Sequence, residues 1–140
     1  MKKILIVHNY PDFGGSSKSL FEIIKGLKNS DFHIHVLTKQ ISNITFKNKL
    51  NDLVDQITEI ADIPQFSYYN GSLSIVNPNF WLGFLKTILK RNYFKNLIDN
   101  ISYDVLICNS IVLSWFPLNN KKYNILFIRE TKKNKGCAEK

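Results

Sequence analysis

Short, nearly continuous runs of aliphatic residues alternate along this chain with longer segments in which apolar residues recur every three or four positions. The runs are typical of strands buried in a parallel sheet, and they lie at 3–7, 32–39, 103–109 and 123–128. Between the first two runs, an apolar stripe at helical spacing predicts an amphipathic helix; its members are Leu20, Ile23, Ile24 and Leu27. The order strand, helix, strand forms a βαβ unit. We therefore expect an α/β fold: a single Rossmann-like domain with a parallel sheet and helices on both faces.

The sequence allows two amino-terminal ends for this first helix. Ser19 with Glu22 three residues later fits a capping box, and Ser16 or Ser17 fits a cap one turn earlier. Polar residues 29–31 are predicted to end it.

The segment that follows the second strand has helical spacing and then becomes ambiguous. One apolar stripe predicts a second helix and comprises Phe46, Leu50, Leu53, Val54 and Ile57. Residues 60–69 fit a short strand near Ile60 or Phe66. Asn70-Gly71 is a turn signal that fits a small hairpin.

Residues 80–101 carry two apolar stripes that point in different directions. The first comprises Phe80, Trp81, Phe84, Leu85, Ile88 and Leu89, and the second comprises Phe94, Leu97, Ile98 and Ile101. A straight helix would carry Arg91 and Asn92 onto the apolar side of the first stripe. The pattern therefore predicts two helices, or one helix broken near Arg91-Asn92, that bury against different surfaces.

Composition sets the size and the compartment. The 140 residues, 44% of them hydrophobic, suffice for one domain, which we assign to residues 1–130, with a polar lysine-rich tail at 131–140. Cys108 and Cys137 have neither metal-site spacing nor the number for a disulfide framework, so their use fits a reducing cytosol. No stretch approaches the roughly 20 apolar residues of a membrane-spanning helix.

The net charge of +8 permits several anionic partners without choosing among them. Nucleic acid is disfavoured, because the aromatic residues are not interleaved with basic ones in any nucleic-acid-binding motif. An anionic membrane surface and phosphorylated ligands stay open.

The loop after the first strand ends in Gly14, Gly15 and Ser16. Glycine adopts a positive φ readily, and missing side chains let a phosphate reach backbone N–H groups at the positive end of the next helix. A tight turn that binds nothing explains the same residues. The loop lacks the Gly-Lys-Ser/Thr of a Walker A motif and the G-x-G-x-x-G dinucleotide fingerprint, and no acidic pair follows the strand. These absences disfavour three other classes of α/β protein.

Residues 4–38 resemble the opening of the family 4 glycosyltransferases, which have the GT-B fold. Members of that family begin with an apolar strand, a loop that ends in Gly-Gly and a small residue, an amphipathic helix, and a strand similar to residues 33–38 here. Residues 103–107 and 127–130 resemble two later strands of the family. The resemblance implies one half of a GT-B fold, the amino-terminal, acceptor-side domain.

The family's activity is then expected of the complete enzyme. It would transfer a sugar from a nucleotide-sugar co-substrate to a glycan or lipid-linked acceptor in cell-surface glycan synthesis, with retention and with no metal or other cofactor. Ligand contacts are expected at Gly14, Gly15, Ser16, Arg129 and Glu130. The family's second domain, which supplies most nucleotide-sugar contacts, is not in these residues. The chain alone is therefore expected to be inactive, as a truncated product or as one subunit completed by a partner chain.

The sequence departs from the family at the acceptor site. Many members carry a histidine at or after a later strand end, where this chain has Asn109-Ser110 and Arg129-Glu130. His8 lies at the end of the first strand, where open α/β sheets bind ligands, although a structural role is favoured for it. His33 and His35 are interpreted as surface or packing residues.

The predicted helix that starts near Phe80 combines aromatic rings with lysines. Interfacial membrane helices have this composition, so Trp81, Phe84, Lys86 and Lys90 are candidate contacts to an anionic membrane. Packing on the sheet or against a missing domain explains the pattern equally well. The expected location is the cytoplasm or the inner face of the cell membrane. A non-catalytic binding or docking module is the alternative function, and an exposed apolar face where the second domain would sit would distinguish it.

Overall fold

Five parallel strands form one sheet, in the order β3-β2-β1-β4-β5. The computed structural model describes residues 1–28, 30–64, 78–110, 113, 115–116 and 122–126. Along the chain the elements are β1 (Lys2–His8), α1 (Gly15–Lys28), β2 (Phe32–Lys39), α2 (Ile44–Asn51), β3 (Gln56–Ile60), α3 (Pro78–Asp99), β4 (Val105–Cys108) and β5 (Tyr123–Leu126). The predicted α/β, Rossmann-like fold is confirmed.

Each face of the sheet has its own core, because successive side chains of a strand point to opposite faces. In β1, Ile4 and Ile6 pack under α1 and α2, whereas Leu5 and Val7 pack under α3. The first core includes Leu20, Ile24, Val36, Phe46, Leu50 and Ile107. The second core includes Leu37, Phe94, Ile98, Leu106, Leu113 and Phe116.

Helix α1 begins earlier than a serine cap would place it. The helix starts at Gly15, and the N–H of Lys18 donates to Gly14 O over 2.9 Å. The predicted caps at Ser16, Ser17 or Ser19 are therefore wrong. The hydroxyls of Ser17 and Ser19 are instead used in tertiary hydrogen bonds, which keep them satisfied inside the helix.

The predicted helix over 46–57 is only half right. Helix α2 ends at Asn51, and Ile57 lies in strand β3, which pairs with β2. Asn43 caps α2, because its side-chain oxygen accepts from Phe46 N over 3.1 Å. Leu53 and Val54 connect the helix to the strand and still pack against the first core, which explains why they continued the helical stripe.

Helix α3 is continuous from Pro78 to Asp99, so the predicted break near Arg91-Asn92 is wrong. Its buried residues recur at intervals of seven, seven and four positions and comprise Phe80, Thr87, Phe94 and Ile98. These residues lie along one side of the helix, which is the side that packs on the sheet. Thr87 is a buried polar residue of this side, and its hydroxyl is satisfied because it donates to Phe84 O over 2.6 Å. Most of the first apolar stripe faces outward.

Several predictions fall outside the described residues. They are the hairpin at Asn70-Gly71, the strand end with Arg129 and Glu130, and the tail at 131–140. Within the part of the chain that the structure describes, no helix is long and apolar enough to cross a membrane.

Candidate ligand site at the carboxyl edge of the sheet

The strand order reverses direction at β1. The chain proceeds outward from β1 to β2 and β3, and then returns through α3 to place β4 on the other side of β1. In open parallel sheets, ligands bind in the crevice outside the carboxyl ends of the strands at such a switch point. Here the crevice lies beyond His8, which ends β1, and Asn109, which follows β4.

The first turn of α1 lies directly at this crevice. Asn109 Nδ2 donates to Ser16 O over 2.9 Å, which holds the helix start beside the end of β4. The N–H groups of Gly15, Ser16 and Ser17 precede the first intrahelical hydrogen bond. A helix start carries roughly half a positive charge, so this turn favours an anion. The structure thus brings three of the predicted ligand residues, Gly14, Gly15 and Ser16, to the switch point.

Two reasons were considered for the glycines, a positive φ and an open approach to backbone N–H groups, and the structure contradicts the first. No glycine among the described residues has a positive φ, so the expectation of a left-handed turn here is wrong. A Cβ on Gly14 would lie 3.4 Å from the Tyr10 ring, whereas a Cβ on Gly15 would meet no atom within 4 Å. Gly15 therefore keeps an open approach to the helix start.

The loop before α1 is held from two sides. Asp12 Oδ1 accepts from Phe13 N over 2.7 Å and from Asn43 Nδ2 over 2.9 Å, which ties the loop to the start of α2. Ser17 Oγ donates to Asp12 O, and the Phe13 ring meets Phe46 edge-on at 5.5 Å. The loop is consequently preorganised without a ligand, which reduces the entropy lost on binding.

His8 and Asn109 form a buried polar network behind this turn. His8 Nε2 donates to Tyr10 O, and Nδ1 accepts from Asn109 Nδ2 over 3.2 Å. Asn109 Oδ1 accepts from Ser19 Oγ over 3.2 Å. Because both ring nitrogens of His8 are engaged, the imidazole fixes the site's geometry and is not placed to take a proton from a substrate.

Burial also sets the charge of His8. Desolvation lowers its pKa from 6.5 to about 4, and the hydrogen bond to Tyr10 O opposes this shift only in part. The ring is therefore neutral near pH 7, in agreement with its single-proton hydrogen bonding. Positive charge at the crevice comes from the helix start and not from His8.

Replacing Asn109 by alanine is expected to lower the free energy of unfolding by about 2 kcal/mol, because three buried partners lose their hydrogen bonds. Urea unfolding measures the effect. Asn100→Ala, an exposed asparagine just after α3, is the matched control and should change stability by about 0.5 kcal/mol or less. Equal effects of the two changes would mean that the network does not hold α1 to β4.

Two buried polar atoms at this edge are unsatisfied. Asn9 Oδ1 and Thr38 Oγ1 are inaccessible to solvent and have no hydrogen-bond partner within the described ranges. Asn9 directly follows β1, and Thr38 pairs with His8 in register. A buried unpaired acceptor costs about 1–3 kcal/mol. These two atoms therefore destabilise the fold at this edge, because no described group satisfies them.

The remaining predicted contacts lie elsewhere. Arg129 and Glu130 fall outside the described residues. Trp81, Phe84, Lys86 and Lys90 are all on α3, on the opposite face of the sheet from α1; Lys90 Nζ binds Asp62 Oδ2 at 2.9 Å. His33 and His35 contact Asp55 and Thr58, which fits the packing interpretation.

Asn9, Ser17, Ser19 and Asn109 were missed as members of this site. A polar residue directly after a buried strand was the available signal for Asn9 and Asn109, because strand ends meet at one edge. Nothing local identifies the two serines, since their partners lie in other segments.

Among the described residues, no three His, Cys, Asp or Glu side chains converge on a point that could hold a metal ion. Comparison of the chain with family models, with curated proteins and with solved structures found no match.

Proposed function

We propose that this chain is the acceptor-side, amino-terminal domain of a GT-B glycosyltransferase. The complete enzyme would move a sugar from a nucleotide-sugar to a glycan or lipid-linked acceptor. One observation carries the proposal: Gly14, Gly15 and Ser16, the residues of the resemblance, open α1 at the topological switch point.

The chemistry of the transfer suits a helix start. Cleavage of the bond between sugar and nucleotide leaves negative charge on the departing phosphate. The N–H groups of Gly15 and Ser16, in a turn that is already ordered, would stabilise that charge as it develops. His8 would act as a positioning residue, because its hydrogen bonds hold the turn.

Calorimetric titration of UDP, GDP and their sugars tests this role for the loop. Gly15→Val should weaken nucleotide binding at least about tenfold, because the side chain would occupy the open approach, where its Cβ meets no protein atom within 4 Å. Gly26→Val is the matched control: it lies in the same helix, is exposed and has equal space, so it should bind like the parent.

A folded chain that binds no nucleotide would contradict the phosphate role. That result would favour the alternative, a binding or docking module that contributes to a transferase through a partner chain. Co-purification with a second chain that binds the sugar nucleotide would then identify the split arrangement.

A further inference from the structure

A cavity lies on the α3 side of the carboxyl edge, separate from the α1 turn. Its volume is about 410 Å³, within the range of small-ligand sites. Lys39 at the end of β2, residues 62–64 after β3, and one side of α3 form its walls. The lining residues on α3 are Asn79, Leu82, Gly83 and Lys86.

The charge of this cavity is positive. Asp62 is its acidic residue, and Lys90 Nζ neutralises it at 2.9 Å. Lys39 and Lys86 also line the cavity, and neither forms an ion pair with another described residue. A compact anion such as a phosphate group fits these walls.

An exposed apolar face adjoins the cavity at Leu82. The buried side of α3 contains Phe80 and Thr87. Successive residues of a helix are rotated by about 100°, so Leu85 and Leu89 lie on the opposite side. Leu85 is 52% exposed and Leu89 is 78% exposed. The outward apolar residues are Trp81, Leu82, Leu85, Ile88 and Leu89. A helix that is apolar on both sides normally has both sides buried, so the outward side of α3 is a candidate binding surface.

Cations border this face on both sides, with Lys86 on one flank and Arg91 and Lys95 on the other. The helix has no acidic residue before Asp99, its last position. Protein interfaces are depleted in lysine, whereas interfacial membrane helices combine Trp, Phe and Leu with Lys. A second copy of this chain, with its net charge of +8, would bring like charges together. The pattern favours an anionic bilayer.

We propose that the outward face of α3 inserts into the interface of an anionic membrane and that the Lys39–Lys86 cavity binds the phosphorylated head group of a lipid. The binding site stands by itself. That the bound lipid is the sugar acceptor rests on the function proposed above.

Co-sedimentation with vesicles tests the helix face. The parent should bind phosphatidylcholine vesicles that contain phosphatidic acid and should not bind phosphatidylcholine alone. Leu89→Glu should weaken binding at least about tenfold, because a leucine buried in the interface contributes that much or more. Ile44→Glu on α2 is the matched control, since Ile44 is 74% exposed and the charge change is identical; it should bind nearly as the parent does. Equal losses in both variants would overturn the membrane face and leave α3 to a protein partner.

A second pair of variants tests the cavity. Lys39 is on a strand end and not on the inserted face, so Lys39→Gln should weaken binding to phosphatidic acid vesicles about fivefold by removing a head-group contact. Lys25→Gln on α1 removes the same charge far from the cavity and should have little effect. Equal losses of binding in Lys39→Gln and Lys25→Gln would mean that the chain binds through its net charge alone, and would overturn the head-group assignment.

The two proposals fail separately. Vesicle binding that survives Gly15→Val, in a chain that binds no nucleotide, would contradict the phosphate role of the glycine loop and keep the lipid site. Nucleotide binding without vesicle binding would do the reverse.

Discussion

Lowering the pH from about 7 to about 4 is expected to reduce the free energy of unfolding by about 3 kcal/mol through His8 alone. The folded-state pKa of His8 is about 4, while the unfolded chain has the ordinary value of 6.5. Above pH 6.5 both states are neutral at this residue, and the stability is fully present. As the pH falls toward 4, His8 binds a proton in the unfolded state but not in the folded state. The free energy of unfolding therefore decreases.

Urea unfolding at several pH values measures this loss, which should reach a slope of at most about 1.4 kcal/mol per pH unit. His8→Gln should remove this contribution to the slope. Burial also lowers the pKa of His35, so His35→Gln serves as the control: it should leave the larger part of the slope in place. Parallel slopes for the parent and His8→Gln would show that His8 is not held neutral in the folded chain.

The neutral state of His8 bears on function. A charged imidazole at the end of β1 would itself attract a phosphate, and the role of the glycine turn could not be separated from it. Because His8 is neutral and both nitrogens are engaged, the backbone N–H groups of α1 supply the positive potential at the crevice. His8 therefore gives no reason for anion binding at the crevice to change between pH 6.5 and 8.

How far the sequence predicts the fold depends on how many structures each pattern allows. The strand at Phe32–Lys39 was predicted to the residue, because apolar residues alternate with His33 and His35 at the period of a strand. Strand β3 (Gln56–Ile60) was predicted only at its end, as a short strand near Ile60. It is an edge strand with half-buried residues, and Ile57 fits both a strand and the helical stripe of α2. Local spacing cannot separate those two structures.

The site was predicted only in part, because some of its residues follow from local patterns and others do not. The position of Gly14 to Ser16 followed from the βαβ order, because a loop after a buried strand opens at the carboxyl edge. The bond from Ser19 to Asn109 joins residues 90 positions apart, and no local pattern records such a partner. Helix α3 presented two apolar sides, and only the fold shows which one the sheet covers.

The side of α3 that the sheet covers contains Phe94, a residue of the second core. Phe94→Ala is expected to lower the free energy of unfolding by about 3–5 kcal/mol, a large share of the roughly 5–15 kcal/mol of a typical domain. Phe94 is fully buried, and its ring lies 5.4 Å from the rings of both Trp115 and Phe116. Removing it opens a cavity between α3 and the segment after β4, where rigid rings cannot close the gap.

Leu89→Ala on the same helix is the matched control, because Leu89 is equally apolar but 78% exposed; its effect should be within about 0.5 kcal/mol. Urea unfolding of the two variants compares the buried side of α3 with the outward side. Similar losses would mean that Leu89 is also buried in the folded chain, and the outward face would then be unavailable to a membrane. A large loss for Phe94→Ala alone would mean that α3 is held by one side only. The opposite side, which contributes nothing to the stability of the isolated chain, would then be free to bind lipid without unfolding the domain.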